Sequence, residues 1–450
     1  MILRLFLLPS AIAAVSLLVS PVSRAAADPK PMNIVLIMAD DLGYETIGAN
    51  GGESYSTPNL DRLAANGTRF EHCYAQPLCT PSRVQLMTGQ YNIRNYTKFG
   101  VLNRDERTFA NLFKESGYAT CIAGKWQLGG GADSPQHFGF DDALLWQHVR
   151  GAHREDTKHD TRYPNPRFER NGVAVDFNNG EYGPDVMADF VCEFIRKNRD
   201  RPFLVYYPMI LTHCPFVPTP LSADWDPKSK GSDSYKGDGK YFGDMVHYMD
   251  RLVGKVVDEV KRQGLEDRTI ILFTGDNGTD MPIVSRLNGK DVAGAKGSTT
   301  DAGTRVPLIA YGPGHVKPGV VSDLVDFSDF LPTLCELAGI AVPATTELDG
   351  RSFAPQVSGR NGNPRDYVYS WFSAKGDAGS ARVFARTHRY KLYRTGEFYD
   401  VVADSLEKSP LADASLTAEQ KQVRDQLQKA IDHYQGFRKK EDAAKTAKAA

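Results

Sequence analysis

Apolar residues follow two different periods along this chain, and the alternation predicts its elements. Asn33–Ala39 (NIVLIMA) is an unbroken apolar run, as a strand buried on both faces must be. Similar runs lie at 118–123, 203–207, 269–274 and 306–311. Between them the apolar residues recur at helical spacing. Thr57 and Pro58 read as the N-cap and first residue of a helix that Gly67 closes. At 108–116, Phe109, Leu112 and Phe113 share one face and Gly117 is the stop, and 241–263 is a long amphipathic stretch. Strand and helix in repeated alternation predict an α/β fold with a large, mostly parallel sheet covered by helices.

The character changes from residue 361. Segments 367–372, 381–387, 390–393 and 398–400 read as short strands with tight connections, hence a small antiparallel sheet. Thr417-Ala-Glu-Gln420 is a capping box, followed by a stripe of Val423, Leu427 and Ile431 that predicts a helix packed on that sheet. The Lys/Ala-rich tail at 438–450 is expected to be disordered. The expected domains are thus 28–360 and 361–437. No internal repeat is present.

Residues 1–27 read as a secretory signal peptide: Arg4, the apolar Leu5 to Val19, and an A-x-A site at Ala25–Ala27. The reading is an exported protein, periplasmic or secreted, without stable membrane insertion. Lys+Arg (54) and Asp+Glu (55) cancel, which points away from nucleic acid as a partner. A chain of 450 residues buries a large core without cross-links, and its six irregularly spaced cysteines do not resemble a disulfide framework, their spacing leaving the pairing open.

Candidate chemistry lies at strand ends. Asp40-Asp41 follows the first apolar run, and Asp276-Asn277 follows the run at 269–274. Ligands of open α/β sheets bind at the carboxyl ends of strands. Three carboxylates and an amide oxygen meeting there require a cation, and an all-oxygen set suits Ca²⁺ or Mg²⁺ rather than zinc. Either pair alone reads first as turn and cap residues. In Cys79-Thr-Pro-Ser-Arg83, Pro81 is placed to start a helix that continues to Gly89, which puts Cys79 at the anion-attracting end with Arg83 on the same face. An unmodified Cys79 is either a low-pKa nucleophile or a plain buried thiol.

The run C-T-P-S-R followed by L-M-T-G resembles the signature of the type I, formylglycine-dependent sulfatases of the alkaline-phosphatase-like superfamily. Gly124-Lys-Trp126, Thr212-His-Cys-Pro215, Gly275-Asp-Asn-Gly278 and Gly294-Ala-Lys-Gly297 appear in that family's order, as do Thr57-Pro-Asn-Leu-Asp61, Phe330-Leu-Pro-Thr333, Tyr390-Lys-Leu-Tyr393 and Phe398-Tyr-Asp400. The resemblance implies a large mixed, mostly parallel sheet with a smaller C-terminal antiparallel-sheet subdomain. It implies a sulfuric ester hydrolase whose Cys79 is converted to formylglycine by a formylglycine-generating or sulfatase-maturing enzyme. Asp40, Asp41, Asp276, Asn277 and the modified Cys79 would ligate Ca²⁺, with Mg²⁺ as the alternative. Arg83 would stabilise the nucleophile, Lys125 and Lys296 would hold sulfate oxygens, and His213 would be the general acid. One hydroxyl of the hydrated aldehyde attacks sulfur, and the sulfated hemiacetal then collapses.

Gln127 departs from the pattern, because the family reads Gly-Lys-Trp-His there and Gln cannot take up a proton. His137 and His148 are near enough in sequence to be substitutes. The substrate implied is a sulfated small molecule or glycan, with specificity in the loops at 144–170 and 215–241, where Trp146, Tyr163 and Trp225 lie. Two other readings stand beside this one: a phosphodiester or phosphonate monoester hydrolase of the same superfamily, and a non-catalytic binding protein with unmodified Cys79.

Overall fold

The computed structural model describes residues 2, 31–156 and 158–449, with side chains through Arg438. The signal-peptide reading lies outside the described residues, Ile2 excepted. Twelve strands form a large sheet and a hairpin: β1 (Asn33–Ala39), β2 (Thr68–Tyr74), β3 (Ala119–Lys125), β4 (Asp142–Trp146), β5 (Arg167–Arg170), β6 (Val173–Asp176), β7 (Phe203–Pro208), β8 (Thr269–Gly275), β9 (Val284–Leu287), β10 (Lys290–Ala293), β11 (Arg305–Tyr311) and β12 (Gly319–Asp326). The ten-stranded sheet has the order β12-β2-β11-β8-β1-β7-β3-β4-β5-β6, and β9 pairs with β10 beside it.

The centre of the sheet, β8-β1-β7-β3-β4, is parallel throughout. β11 runs antiparallel to both β2 and β8, and β5 is antiparallel to β4 and β6, which makes the sheet mixed. The burial that the apolar runs predicted is explained by alternation along β1. Val35, Ile37 and Ala39 point into one core with the helices at Gly183–Lys197 and Phe242–Arg262. Ile34, Leu36 and Met38 point into the other, with the helices at Cys79–Thr88, Phe109–Glu115 and Phe330–Ala338. Each such side chain contributes about 1.5–3 kcal/mol, so the register has no freedom to slip.

That register places the site. Ala39 lies opposite Gly275 on β8, Met38 opposite Pro208 on β7, and Lys125 opposite Trp146 on β4, so the carboxyl ends of these strands open onto one rim.

Beyond residue 361 lies a four-stranded antiparallel meander, β13 (Val368–Phe372), β14 (Arg382–Arg386), β15 (Tyr390–Tyr393) and β16 (Phe398–Asp400). The capping box forms as predicted: Thr417 N donates to Gln420 Oε1 at 2.9 Å and Gln420 N to Thr417 Oγ1 at 3.2 Å. Leu427 and Ile431 of the following helix are buried with Tyr369, Trp371 and Leu392 in the same core that holds Ile34 and Leu36. The change at residue 361 therefore separates two sheets but not two cores.

Two local readings are corrected. The last helix is Ala418–Ala449, so the backbone is helical where a disordered tail was expected at 438–450; Lys and Ala are both strong helix formers. Thr57 Oγ1 does not cap its helix, because it accepts from Gly48 N at 2.9 Å and lies 3.1 Å from Asp61 Oδ1. All six cysteines are buried free thiols. Among the described residues no helix is long and apolar enough to cross a membrane.

Candidate active site

The turn after β1 brings the first carboxylates to the rim. Asp41 has φ 60°, a left-handed conformation that Asp tolerates better than most residues. In that conformation its amide donates to Asp276 Oδ1 at 3.0 Å, while Asp276 N, just past β8, donates to Ala39 O at 3.0 Å. The two turns therefore hold one another. Asn277 Nδ2 donates to Asp41 Oδ1 at 2.9 Å, and its buried Oδ1 has no hydrogen-bond partner.

Cations surround this acidic knot. Arg83 Nη2 is 3.0 Å from Asp276 Oδ2, and its Nη1 donates to Lys125 O at 2.9 Å. Lys125 Nζ, at the end of β3, donates to Asp40 Oδ1 at 3.1 Å and lies 2.9 Å from Oδ2 at a poor hydrogen-bond angle. Lys296 Nζ donates to Asp41 Oδ2 at 2.6 Å from the loop after β10. Burial raises carboxyl pKa values, and for Asp40 the opposing pull of Lys125 and Arg83 wins and holds it below the usual range. Asp276 goes the other way: burial, then Asp40, push it up to about 7. Asp41 is also raised, by burial first.

A divalent cation fits this set. Three carboxylates crowded out of water repel one another, and the partnerless Asn277 Oδ1 is an oxygen donor suited to a hard ion. Among the described residues, Asp40, Asp41 and His213 also form a group able to hold a metal, with His213 Nε2 3.8 Å from Asp41 Oδ2. The donors remain dominated by oxygen.

The helix carrying Cys79 begins two residues earlier than the sequence suggests. Leu78 is its extended N-cap, Cys79 its first residue and Gly89 its left-handed stop, so Pro81 sits inside the first turn rather than starting it. Cys79 still occupies the positive end of the helix. Burial raises its pKa, with Lys125 and Lys296 pulling against that shift. Its Sγ donates to Gln127 Oε1 at 2.8 Å, and Gln127 itself has φ 51°. His137 and His148 do not reach the site. His137 Nε2 lies 2.7 Å from Arg104 O, and His148 Nε2 lies 3.1 Å from Ala132 O.

Arg162 is the main residue that the sequence did not announce. Its guanidinium makes a two-pronged bond to Asp160, Nε to Oδ1 and Nη2 to Oδ2 at 2.9 Å each, and lies 3.9 Å over the Trp146 ring. Its Nη1 is 2.7 Å from His213 Nδ1. The Cys214 carbonyl lies 2.5 Å from the same nitrogen, and the two contacts require opposite tautomers. A guanidinium only donates, and a charge-assisted bond is about twice as strong as a neutral one. Nδ1 is therefore assigned as acceptor, with the proton on Nε2. Burial, then Lys296, Lys125 and Arg162, lower the His213 pKa well below 6.5, so the ring is neutral.

Together these groups line a cleft of about 340 Å³, whose walls include Cys79, Lys125, Gln127, His213 and Lys296. The 144–170 loop supplies Trp146, His153 and Arg162, and the 215–241 loop supplies Tyr235. Trp225 packs instead on Tyr182, and the Tyr163 hydroxyl is used on the carbonyls of Ile210 and His213.

The sulfatase family model matches residues 32–340, and the model for the C-terminal part of N-sulphoglucosamine sulphohydrolase matches residues 296–436. Arylsulfatase A of Homo sapiens is 34% identical over 400 residues, covering 81% of this chain and 75% of its own. N-acetylgalactosamine-6-sulfatase of Mus musculus is 33% identical over 371 residues, covering 74% and 67%. The crystal structure of Ps i-CgsB superposes with a TM-score of 0.75 at 27% identity, covering 91% of this chain and 94% of that one. A sulfatase model spanning more than half of the chain, with relatives of this identity across most of it, places the protein in the sulfatase family.

Proposed function

We propose that this sulfatase cleaves a sulfate monoester on a sulfated carbohydrate, using a formylglycine nucleophile derived from Cys79 and a divalent cation, Ca²⁺ or Mg²⁺, held by Asp40, Asp41, Asp276 and Asn277. The observation that carries the reading is the convergence of Cys79, Lys125, Lys296 and His213 on one cleft directly above that oxygen set. A bound cation would relieve the repulsion of the carboxylates and draw a sulfate oxygen toward position 79. Lys125 and Lys296, each anchored on a site carboxylate, would fix the other sulfate oxygens and meet the charge that builds up as the ester bond breaks. Arg83, held by Asp276 and the Lys125 carbonyl, would balance negative charge at the nucleophile.

His213 presents Nε2–H to the leaving oxygen. As a neutral imidazole it acts as a hydrogen-bonding acid, and Arg162 keeps its proton on that side. Gln127 stands 2.8 Å from Sγ and would accept a hydrogen bond from a hydroxyl at position 79 without removing its proton. Tyr235, largely exposed at the cleft wall, gives it an aromatic face of the kind sugars stack on, and one relative is named for a sulfated amino sugar. Export through the leader and processing by a maturation enzyme complete the reading.

The test is mass spectrometry of the peptide containing Cys79 from the native host, alongside hydrolysis of sulfate and phosphate monoesters. Aldehyde at position 79 and preference for sulfate are expected, with Cys79→Ala inactive. Turnover by a preparation in which Cys79 is wholly thiol overturns the proposal.

A further inference from the structure

The motif Tyr390-Lys-Leu-Tyr393 lies in the small sheet, outside the cleft, and none of the chemistry above uses it. Lys391 and Tyr393 are two residues apart on β15 and so share a face. Both are buried, and both reach out of their own sheet to the loop that carries Lys296. Lys391 Nζ donates to the carbonyl of Thr299 and, at 2.8 Å, to Glu407 Oε1. Tyr393 OH donates to Glu407 Oε2 at 2.5 Å and lies 2.8 Å from Thr299 Oγ1, which is then the donor to it. The four groups close a ring in which both the carbonyl and the hydroxyl of Thr299 are held. Lys391 Nζ also sits 4.0 Å over the Phe384 ring. Next to this ring, Arg386 on β14 pairs with Asp301, the first residue of the short helix Asp301–Thr304.

The loop so held touches two of the turns that build the site. Lys296 N donates to Thr279 O at 3.0 Å, beside the Asp276-Asn277 turn, and Gly297 N donates to Pro77 O at 2.8 Å, two residues before Cys79. Gly278 N donates to Gly303 O at 3.0 Å, and a Cβ on Gly278 would collide with the Ala302 carbonyl. On its inner side the loop therefore rests on the metal turn and the nucleophile turn. On its outer side Lys391, Tyr393 and Glu407 are what grip Thr299, three residues from Lys296. Glu407 is held at φ 54°, an uncommon conformation for Glu that its two bonds over-determine. Burial brings the Lys391 pKa down to about 8, against the pull of Glu407 and Asp301, so an ammonium kept in this position is costly to the fold. An apolar pair at 391 and 407 would satisfy the packing without that cost, whereas loss of Lys391 alone strands the buried Glu407 carboxylate.

We propose that Lys391, Tyr393 and Glu407 are positioning residues that act through Lys296, the small sheet serving as a clamp that sets where the Lys296 ammonium meets the substrate anion. The proposal rests on the sulfate-holding role given to Lys296 above. Displacing a fixed charge by an ångström costs about 100-fold in rate, so Lys391→Met is expected to lower kcat/KM for an aryl sulfate about 10- to 100-fold, with a parallel rise in the inhibition constant for inorganic sulfate. Tyr393→Phe, which removes one bond of the ring and keeps the packing, is expected to give a smaller loss in the same direction.

Two measurements separate positioning from bulk stability. In a Lys296→Ala background, Lys391→Met and Tyr393→Phe should produce no further loss, because the group they act through is gone. Losses that multiply in the double variants, or variants with wild-type kinetics, overturn the proposal. Amide hydrogen exchange of residues 295–300 reports the clamp without any turnover. Faster exchange confined to that loop in Tyr393→Phe supports the clamp, and unchanged exchange there overturns it. Should the wild-type enzyme fail to turn over sulfate esters, the exchange result still decides whether the loop is clamped, and the failure falls on the role of Lys296.

Discussion

Removing Arg162 isolates the control of the His213 proton. The simple Arg162→Met variant would strand Asp160, which is 9% exposed, and breaking a buried pair this way costs about 3–5 kcal/mol of stability. Asp160→Asn/Arg162→Met avoids the stranded charge, and Asp160→Asn alone keeps the guanidinium as a control. In the double variant His213 Nδ1 loses the 2.7 Å donor and is free to carry a proton toward the Cys214 carbonyl, 2.5 Å away. That leaves a lone pair on Nε2 facing the leaving oxygen. A hydrogen bond to a charged donor is worth about 1.5–3 kcal/mol, or about 10- to 150-fold in the population of the productive tautomer. The same factor is expected in kcat/KM for a sugar sulfate, whose alkoxide needs a proton, and little change for 4-nitrophenyl sulfate, whose phenolate does not. In a His213→Ala background the double variant should add nothing. Equal losses on the two substrates would mean that Arg162 and His213 shape the cleft rather than supply a proton donor.

Three further outcomes are expected. Chelating divalent ions should lower both activity and the melting temperature, and Ca²⁺ at about a hundred times its dissociation constant should return about 2.7 kcal/mol of stability; rescue by Zn²⁺ but not by Ca²⁺ or Mg²⁺ counts against the oxygen site. Gln127→His, which puts a base beside position 79, should raise the steady rate of aryl-sulfate turnover more than the initial burst of phenol, and equal changes in pre-steady-state traces would refute that role. Burial, then Arg305, His388 and Arg386, hold the His72 pKa down to about 3, so below about 6.5 the unfolded chain takes up a proton that the folded one refuses. Stability should therefore fall as the pH drops from about 6.5 toward 3, and His72→Gln should flatten that slope in thermal melts, an unchanged slope ruling the account out.

How much of the fold can be read from the sequence follows burial. β1, β3, β7 and β8 are covered on both faces, so their apolar runs mark them within a residue or two. β11 is marked as well, but an apolar run reports burial and not direction, and its antiparallel course between β2 and β8 had no sequence signal. β2 (TRFEHCY) and β12 (GVVSDLVD) mix polar and apolar positions, and β5 and β6 are four-residue strands at the edge of the sheet. None of these four carries a run long enough to stand out.

The site divides along a different line. Asp40, Asp41, Cys79, Asp276 and Asn277 can be picked out because each follows a recognisable strand or opens a helix, and strand ends are where an α/β sheet binds ligands. Arg162 and Asp160 lie in a loop where a charged pair reads as solvated surface, and only Trp146 beneath them and His213 beside them make the pair internal. The case of Lys391 is intermediate. Tyr390, Leu392 and Tyr393 around it are all buried, and an ammonium in a strand so enclosed must find an acid and an acceptor. The need for a partner is therefore written in β15. That the partner is Glu407 and that the acceptor belongs to Thr299, beside Lys296, depends on how two sheets pack, which no local pattern in the chain specifies. The same physics that makes a buried lysine conspicuous in a strand makes it informative about the loop it holds, and this is why a motif remote from the cleft bears on the chemistry inside it.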